Sequence, residues 1–491
     1  MRAPTAPIMM NTKISTLFAR FRALLSAPVD VASLVVFRVA FGVILLWEIV
    51  EYFWHGWIAE YWIRPPFHFT YPGFDWVHPW PGDGMYVHMA VLGVLAVFIA
   101  AGFFYRASAT LFFLGFTYTF LLERARYLNH FYFVCLVSLL MIFVPAHRAF
   151  SVDAWRRPKL RAHTVAFWPL WLLRVQLGIV YFYSGVAKVN PDWFRGEPLC
   201  TWLHRLNTAP LVGPLFDSPL TACLISWAGL AFDLLIVPLL LWRRTRPIAF
   251  LAALFFHLTN SWFFTIGIFP WFSIAMTTLF FAPDWPRRLW ARMRGWLGAR
   301  TTQSSSEDVA TLASASGLQP RAAGWTVLLI SAYVAWQVLF PLRHWLYPGD
   351  VTWTEEGHEF SWRMKLRGKL GQTVFMVRNP EAREFWYETA DGFLTPWQVK
   401  KMQTRPDLIR QFAQHLAAMT TREIGAPVKV RVQAMVALNG HEPGLLIDPG
   451  MDLSEEPYRL SGSRWITREP VMMTRPMAER MGRVEDSVVS E

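Results

Sequence analysis

The chain has 491 residues, of which 54% are hydrophobic, 16% aromatic and only 17% charged, and its formal net charge is +12. Soluble domains carry about 25% charged residues, so this composition excludes an ordinary soluble enzyme. The basic residues cluster between apolar runs, which excludes nucleic acid as the partner and points to orientation in a lipid membrane.

Residues 1–30 read as a cytoplasmic N-terminal segment. No cleavable signal sequence is expected, because the apolar run that starts near Val31 is too long for a signal core. Runs of bilayer-crossing length follow at about 31–54, 87–104, 106–122, 127–145, 164–188, 219–242, 247–266, 268–283 and 324–341. The fold class expected is therefore a mainly α membrane protein of about nine transmembrane helices, followed by a small α+β domain. The seventh and eighth runs divide around Gly267 and Pro270 and also read as one span with a re-entrant turn. With the N-terminus cytoplasmic, the inner loops carry 19 Lys and Arg and the outer loops 5. That is a positive-inside asymmetry, and it puts everything after Pro341 outside the cytoplasm. The Ala/Arg-rich composition leans towards a bacterial inner membrane.

Residues 31–341 are expected to form the catalytic transmembrane domain, with a flexible Ser/Thr/Ala-rich cytoplasmic loop at 301–320. In 342–491, Glu359–Leu366, Gln372–Val377 and Val428–Leu438 alternate like strands, with a hairpin turn expected at Gly368 and Gly371. Residues 405–419 have helical spacing. Cys135, Cys200 and Cys223 make neither a disulfide framework nor a metal-ligand pattern, so no metal is expected.

Charged side chains inside spans are costly, and each is a functional hypothesis. Arg174, Tyr181 and Lys188 share a helix face at intervals of seven, with Leu177 and Ser184 between them. Lys188 closes the fifth span. One reading is a lysine snorkelling to the interface. The other is a buried amine held neutral by desolvation, fit to act as a general base or to form a Schiff base. Asn129 and His130 open the fourth span at the same expected depth as Lys188. His257 and Asn260 lie one turn apart in the seventh span, where an inter-helix hydrogen bond is the plainer reading. Arg38, Glu48 and Asp233 read as structural ion pairs or polar glue.

At these residues the sequence resembles the vitamin K-dependent gamma-glutamyl carboxylases and their bacterial relatives with a horizontally transferred transmembrane (HTTM) domain. The similar segments are VVFRVAFG at 35–42, LNHFY at 128–132, FSVDAW at 150–155, YFYSGVAKVNPDW at 181–193, FHLTNSWFFTIGIFPW at 256–271 and WTEEGHEFSWRM at 353–364, in family order. The resemblance implies an enzyme that uses vitamin K hydroquinone, O2 and CO2, with no metal, to convert peptide glutamate to γ-carboxyglutamate and the quinol to its epoxide. It implies Lys188 as the base on the quinol and His130, with Asn129 beside it, in the carboxylation half. Tyr181, Ser184, His257, Asn260, His358 and Trp362 become the expected substrate-binding residues. His358 stands where the animal enzymes carry a tyrosine, and Ala187 where they carry a second basic residue. A glutamate-containing protein is the implied partner, with an epoxide-recycling reductase as another. The alternatives are a quinol epoxidase that carboxylates nothing and a non-catalytic quinone-binding or transport protein.

Overall fold

The structure, a computed structural model, describes residues 18–205, 207, 213–264, 266–296 and 324–471. The loop expected at 301–320 lies outside the described residues.

Each of the nine apolar runs forms a helix. These are α1 (Ala32–Trp54), α2 (Gly84–Ala101), α3 (Tyr105–Leu121), α4 (Asn129–Phe143), α5 (Trp168–Ala187), α6 (Pro219–Leu241), α7 (Arg246–Phe263), α8 (Phe269–Thr278) and, after the basic helix α9 (Trp285–Trp296), α10 (Gly324–Leu339). Among the described residues, five helices are long and apolar enough to cross a membrane: α1, α2, α5, α6 and the 23-residue segment Gly324–Leu346 that begins with α10. The seventh and eighth runs are two helices, broken at Gly267, whose φ of 55° is left-handed. The ten residues of α8 rise about 15 Å, roughly half a hydrocarbon core.

Apolar helices in a bilayer gain little from burial against one another and rely on close approach. Gly42 of α1 supplies such a contact: a Cβ there would sit 2.6 Å from the Ala100 nitrogen of α2. Gly185 of α5 does the same against α6, where a Cβ would meet Leu234 Cδ2 at 2.6 Å. A two-stranded ribbon, β1 (Pro28–Asp30) with β2 (Thr164–Ala166), ties the entry of α1 to the segment before α5.

The C-terminal part is a five-stranded antiparallel sheet in the order β4-β3-β5-β6-β7. Its strands are β3 (Lys369–Asn379), β4 (Glu384–Glu388), β5 (Lys429–Leu438), β6 (Gly444–Ile447) and β7 (Ile466–Val471). The strict alternation of buried residues along β5 reflects one face packed on helix α12 (Pro406–Ile424) and the other turned away. Helix α11 (Pro396–Met402) precedes α12.

Two local expectations fail. Glu359–Leu366 is a run of turns, not a strand, because Phe360, Trp362 and Lys365 all take positive φ. Gly368 precedes β3 and Gly371 lies within it, so they do not form a hairpin turn.

The C-terminal domain grips three loops of the helical part. Arg124, between α3 and α4, pairs with Glu359 (3.0 Å) and Asp407 (2.8 Å). Gln411 exchanges hydrogen bonds with the Thr70 backbone in the α1–α2 loop. Asn439 and His441 bond Asp192 in the α5–α6 segment at 2.9 Å. These are three loops that the charge count places on one side, so the start of α4 and the end of α5 both face this domain.

Candidate active site

Helix α5 carries the polar stripe. Lys188 caps its C-terminus, and Asn190 caps the short helix Pro191–Phe194 by accepting from the Trp193 amide. The Lys188 side chain folds back along α5 instead of reaching outward, and the residue is only 6% exposed. Its Nζ donates to Ser184 Oγ at 2.8 Å and to Asp233 Oδ2 at 2.7 Å. Ser184 Oγ donates to the same Asp233 oxygen at 2.6 Å. Trp193 closes the pocket, its ring 5.2 Å from the amine, within cation–π range, and held by an Nε1 bond to the Ser226 carbonyl. The snorkelling reading does not hold: the amine is engaged inside the protein.

The partner differs from expectation too. Lys188 does not sit in a purely apolar pocket, because Asp233 of α6 supplies a carboxylate. Periodicity along one helix cannot reveal this, since the pairing runs across α5 and α6. The signal available was a lone Asp in an otherwise apolar span. Arg38 and Arg174, by contrast, spend their guanidinium groups on carbonyls in the segments after α4 and α8: Ala146 and Phe150 for Arg38, Leu279 and Phe281 for Arg174.

Two turns before Lys188, the Tyr181 hydroxyl lies 2.6 Å from His257 Nε2 of α7, and His257 is 1% exposed. With the phenol donating, the ring proton of His257 sits on Nδ1. Among the described residues that nitrogen is buried without a hydrogen-bond partner, although Phe232, Phe256 and Phe269 surround the ring. An orphaned buried donor is costly and calls for an explanation. An aromatic wall with one free N–H suits the oxygen and ring of a quinol, so these residues fit the quinone-type substrate. Asn260 turns back onto its own helix, Nδ2 donating to the Phe256 carbonyl at 2.8 Å.

His130 reaches the same neighbourhood from α4. Phe269 at the start of α8 lies 6.2 Å from the His130 ring and 6.0 Å from the His257 ring. Asn129 is fixed from both sides: its Oδ1 accepts from the Tyr127 hydroxyl, and its Nδ2 donates to the Arg363 carbonyl. Trp362 is fully buried and stacks on Tyr132 at 5.0 Å. It wedges the 357–365 turns onto α4.

His358 is linked to this group through Tyr127, the donor to Asn129. It lines a charged cavity with Arg124, Tyr127, Glu355, Glu359, Arg367, Arg405 and Asp407. Burial first, and then Arg367, Arg363, Arg405 and Lys369, hold its imidazole well below the usual histidine range, so it is neutral. Its Nδ1 has no hydrogen-bond partner among the described residues.

The comparisons with known proteins fall on the same two parts. The model of the HTTM domain matches residues 26–285, and that of the vitamin K-dependent gamma-carboxylase lumenal domain matches residues 322–471. No solved structure matches the chain. The motif order in the sequence and these two adjoining matches agree: the chain belongs to the vitamin K-dependent gamma-carboxylase family, an HTTM domain joined to that family's lumenal domain.

Proposed function

We propose that the protein is a vitamin K-dependent γ-carboxylase of about nine spans with its C-terminal domain outside the cytoplasm. It would couple oxygenation of the quinol to carboxylation of a peptide glutamate. The observation that carries this reading is the buried Lys188–Ser184–Asp233 cluster beside the aromatic His257 pocket.

The role of these residues follows from proton bookkeeping. A quinol hydroxyl reaching Lys188 gives its proton to Nζ as Nζ passes one to Asp233, directly or through the Ser184 hydroxyl. The amine ends as it began, Asp233 holds the proton, and the substrate becomes the anion that O2 attacks. Apolar walls exclude water, which strengthens every charge interaction inside. His257 Nδ1–H is placed to hold a quinol oxygen, with Tyr181 fixing its tautomer. In balance, quinol, O2, CO2 and glutamate give epoxide, γ-carboxyglutamate and water. His130, held beside Asn129, serves the second half, where the glutamate carbanion meets CO2.

The test gives purified protein reduced vitamin K, labelled CO2 and a glutamate peptide, and counts epoxide and fixed label separately. Both products are expected, and His130→Ala should keep epoxide while fixing far less label. Epoxide without label from the unaltered protein would replace this reading with the epoxidase alone. Neither product would leave a quinone-binding protein.

A further inference from the structure

Two cations lie near the start of α4, and among the described residues neither forms an ion pair. Arg126 and Lys365 both lie close enough for their charge to be felt at the His130 ring, and the Phe131 ring within 6.0 Å of the Arg126 guanidinium lies 4.5 Å from that of His130. Arg126 lies four residues before His130 in the chain. Its guanidinium carbon sits 3.4 Å over the Tyr61 ring centroid, with the rings of Tyr52, Trp62 and Phe131 within 6.0 Å. Its hydrogen bond runs to the Tyr52 hydroxyl at 3.3 Å. A guanidinium has five donors, and this one lines a cavity shared with Phe116, Thr119, Glu123 and Phe131.

Two acids lie near enough to feel it, Glu48 and Glu123, but among the described residues neither forms an ion pair with it. Glu123 spends its oxygens on the Ala125 and Phe69 amides and on Gln398. Lys365 approaches from the other domain, two residues after the Arg363 carbonyl that receives Asn129. Its Nζ is 4.3 Å over the Phe264 ring and 5.5 Å from that of Trp202, and it too forms no ion pair among the described residues. Aromatic faces steady both cations while leaving their hydrogen-bond donors free for an anion.

We propose that Arg126 and Lys365 form the subsite for the γ-carboxylate of the substrate glutamate, one cation from each domain, at the His130 end of α4. The inference rests on the carboxylase reading and adds the group that recognises the substrate. The chemistry demands such a pair. Breaking the γ C–H bond sends the proton to the base produced by quinol oxygenation. The electron pair stays behind and spreads into a carboxylate that is already charged. The resulting carbanion is a dianion with both charges crowded onto one carboxylate, until its carbon bonds CO2 and they divide between two, so positive charge at that carboxylate stabilises this state more than the bound glutamate.

The experiment uses the full chain in lipid nanodiscs, with a fluorescent glutamate peptide and its glutamine counterpart. The unaltered protein should bind the glutamate peptide and discriminate against the glutamine one. Arg126→Gln and Lys365→Gln should each lose that preference. Each should also lose roughly 10²-fold in label fixed and in γ-hydrogen exchange without CO2, the scale of removing one charge-stabilising donor, with epoxide unchanged within about twofold. Arg126→Lys and Lys365→Arg should recover much of the loss. Glutamate-selective binding without fixed label would sink the carboxylase reading and leave the subsite standing. Equal binding of both peptides, glutamine variants that fix label normally, or a parallel loss of epoxide would overturn the subsite.

Discussion

In the proposed mechanism Lys188 and Asp233 act as one unit, and the consequences can be measured residue by residue. Removing one partner of a buried ion pair leaves an uncompensated charge and costs about 3–5 kcal/mol. Asp233→Asn should therefore lower the melting temperature and also cut epoxide formation by about 10²-fold, the low end for losing an acid–base group. Asp233→Glu should recover part of both. Epoxide formation by Asp233→Asn at the normal rate would assign the carboxylate to folding alone. Much of this site was legible in the sequence: Tyr181, Ser184 and Lys188 fall on one face by spacing. Asp233 was visible only as an oddity, because a partner on another helix leaves no periodic trace. Lys365 escaped because it nears His130 only through the docking of the two domains, and Arg126 counts in the sequence only as one of the outer-loop charges.

At the scale of elements, two contacts set the geometry. Gly185 lets α5 and α6 touch. A Cβ there would meet Leu234, the neighbour of Asp233, at 2.6 Å on the side chain and 3.2 Å on the backbone nitrogen. Gly185→Ala should push α6 outward, lengthen the Lys188–Asp233 bond and lower epoxide formation several-fold; unchanged activity would show that the helices can yield there. Glu123 is the second. Burial first pushes its carboxyl up to about 8 from an ordinary 4.5, even though the Ala125 amide, Gln398 and the Phe69 amide all donate to it. Between those values the folded protein keeps a proton that the unfolded chain has lost. Stability should fall as pH rises across that window and level off above about 8. Thermal unfolding against pH should show this slope, and Glu123→Gln should flatten it; parallel curves for the two proteins would place the proton elsewhere. The helices were legible because apolar runs of fixed length have few alternatives in lipid. The 359–366 segment was not. Its alternating pattern mimics a strand, but its apolar side chains are spent on α4: Phe360 on Tyr132 and Tyr127, Trp362 on Tyr132 and Phe133. The backbone reaches those contacts through left-handed turns that no alternation encodes.

For the whole molecule, the C-terminal domain is a lid on the ends of the helices that carry the site. Its grip on the loops near Thr70, Arg124 and Asp192 brings Asn129, His130 and Lys188 under one roof. In the proposed orientation, read from the charge asymmetry, that roof lies outside the cytoplasm. A small accessibility tag after Glu491 should react with an impermeant reagent added from outside, and labelling only from the cytoplasm would invert the orientation. The central claim, that the buried amine activates the quinol, is tested most directly by epoxide formation in Lys188→Ala. The account predicts loss of epoxide and fixed CO2 together, partial recovery with an added small primary amine, and no recovery in Lys188→Arg, whose guanidinium stays protonated. Epoxide made by Lys188→Ala at the normal rate would contradict it.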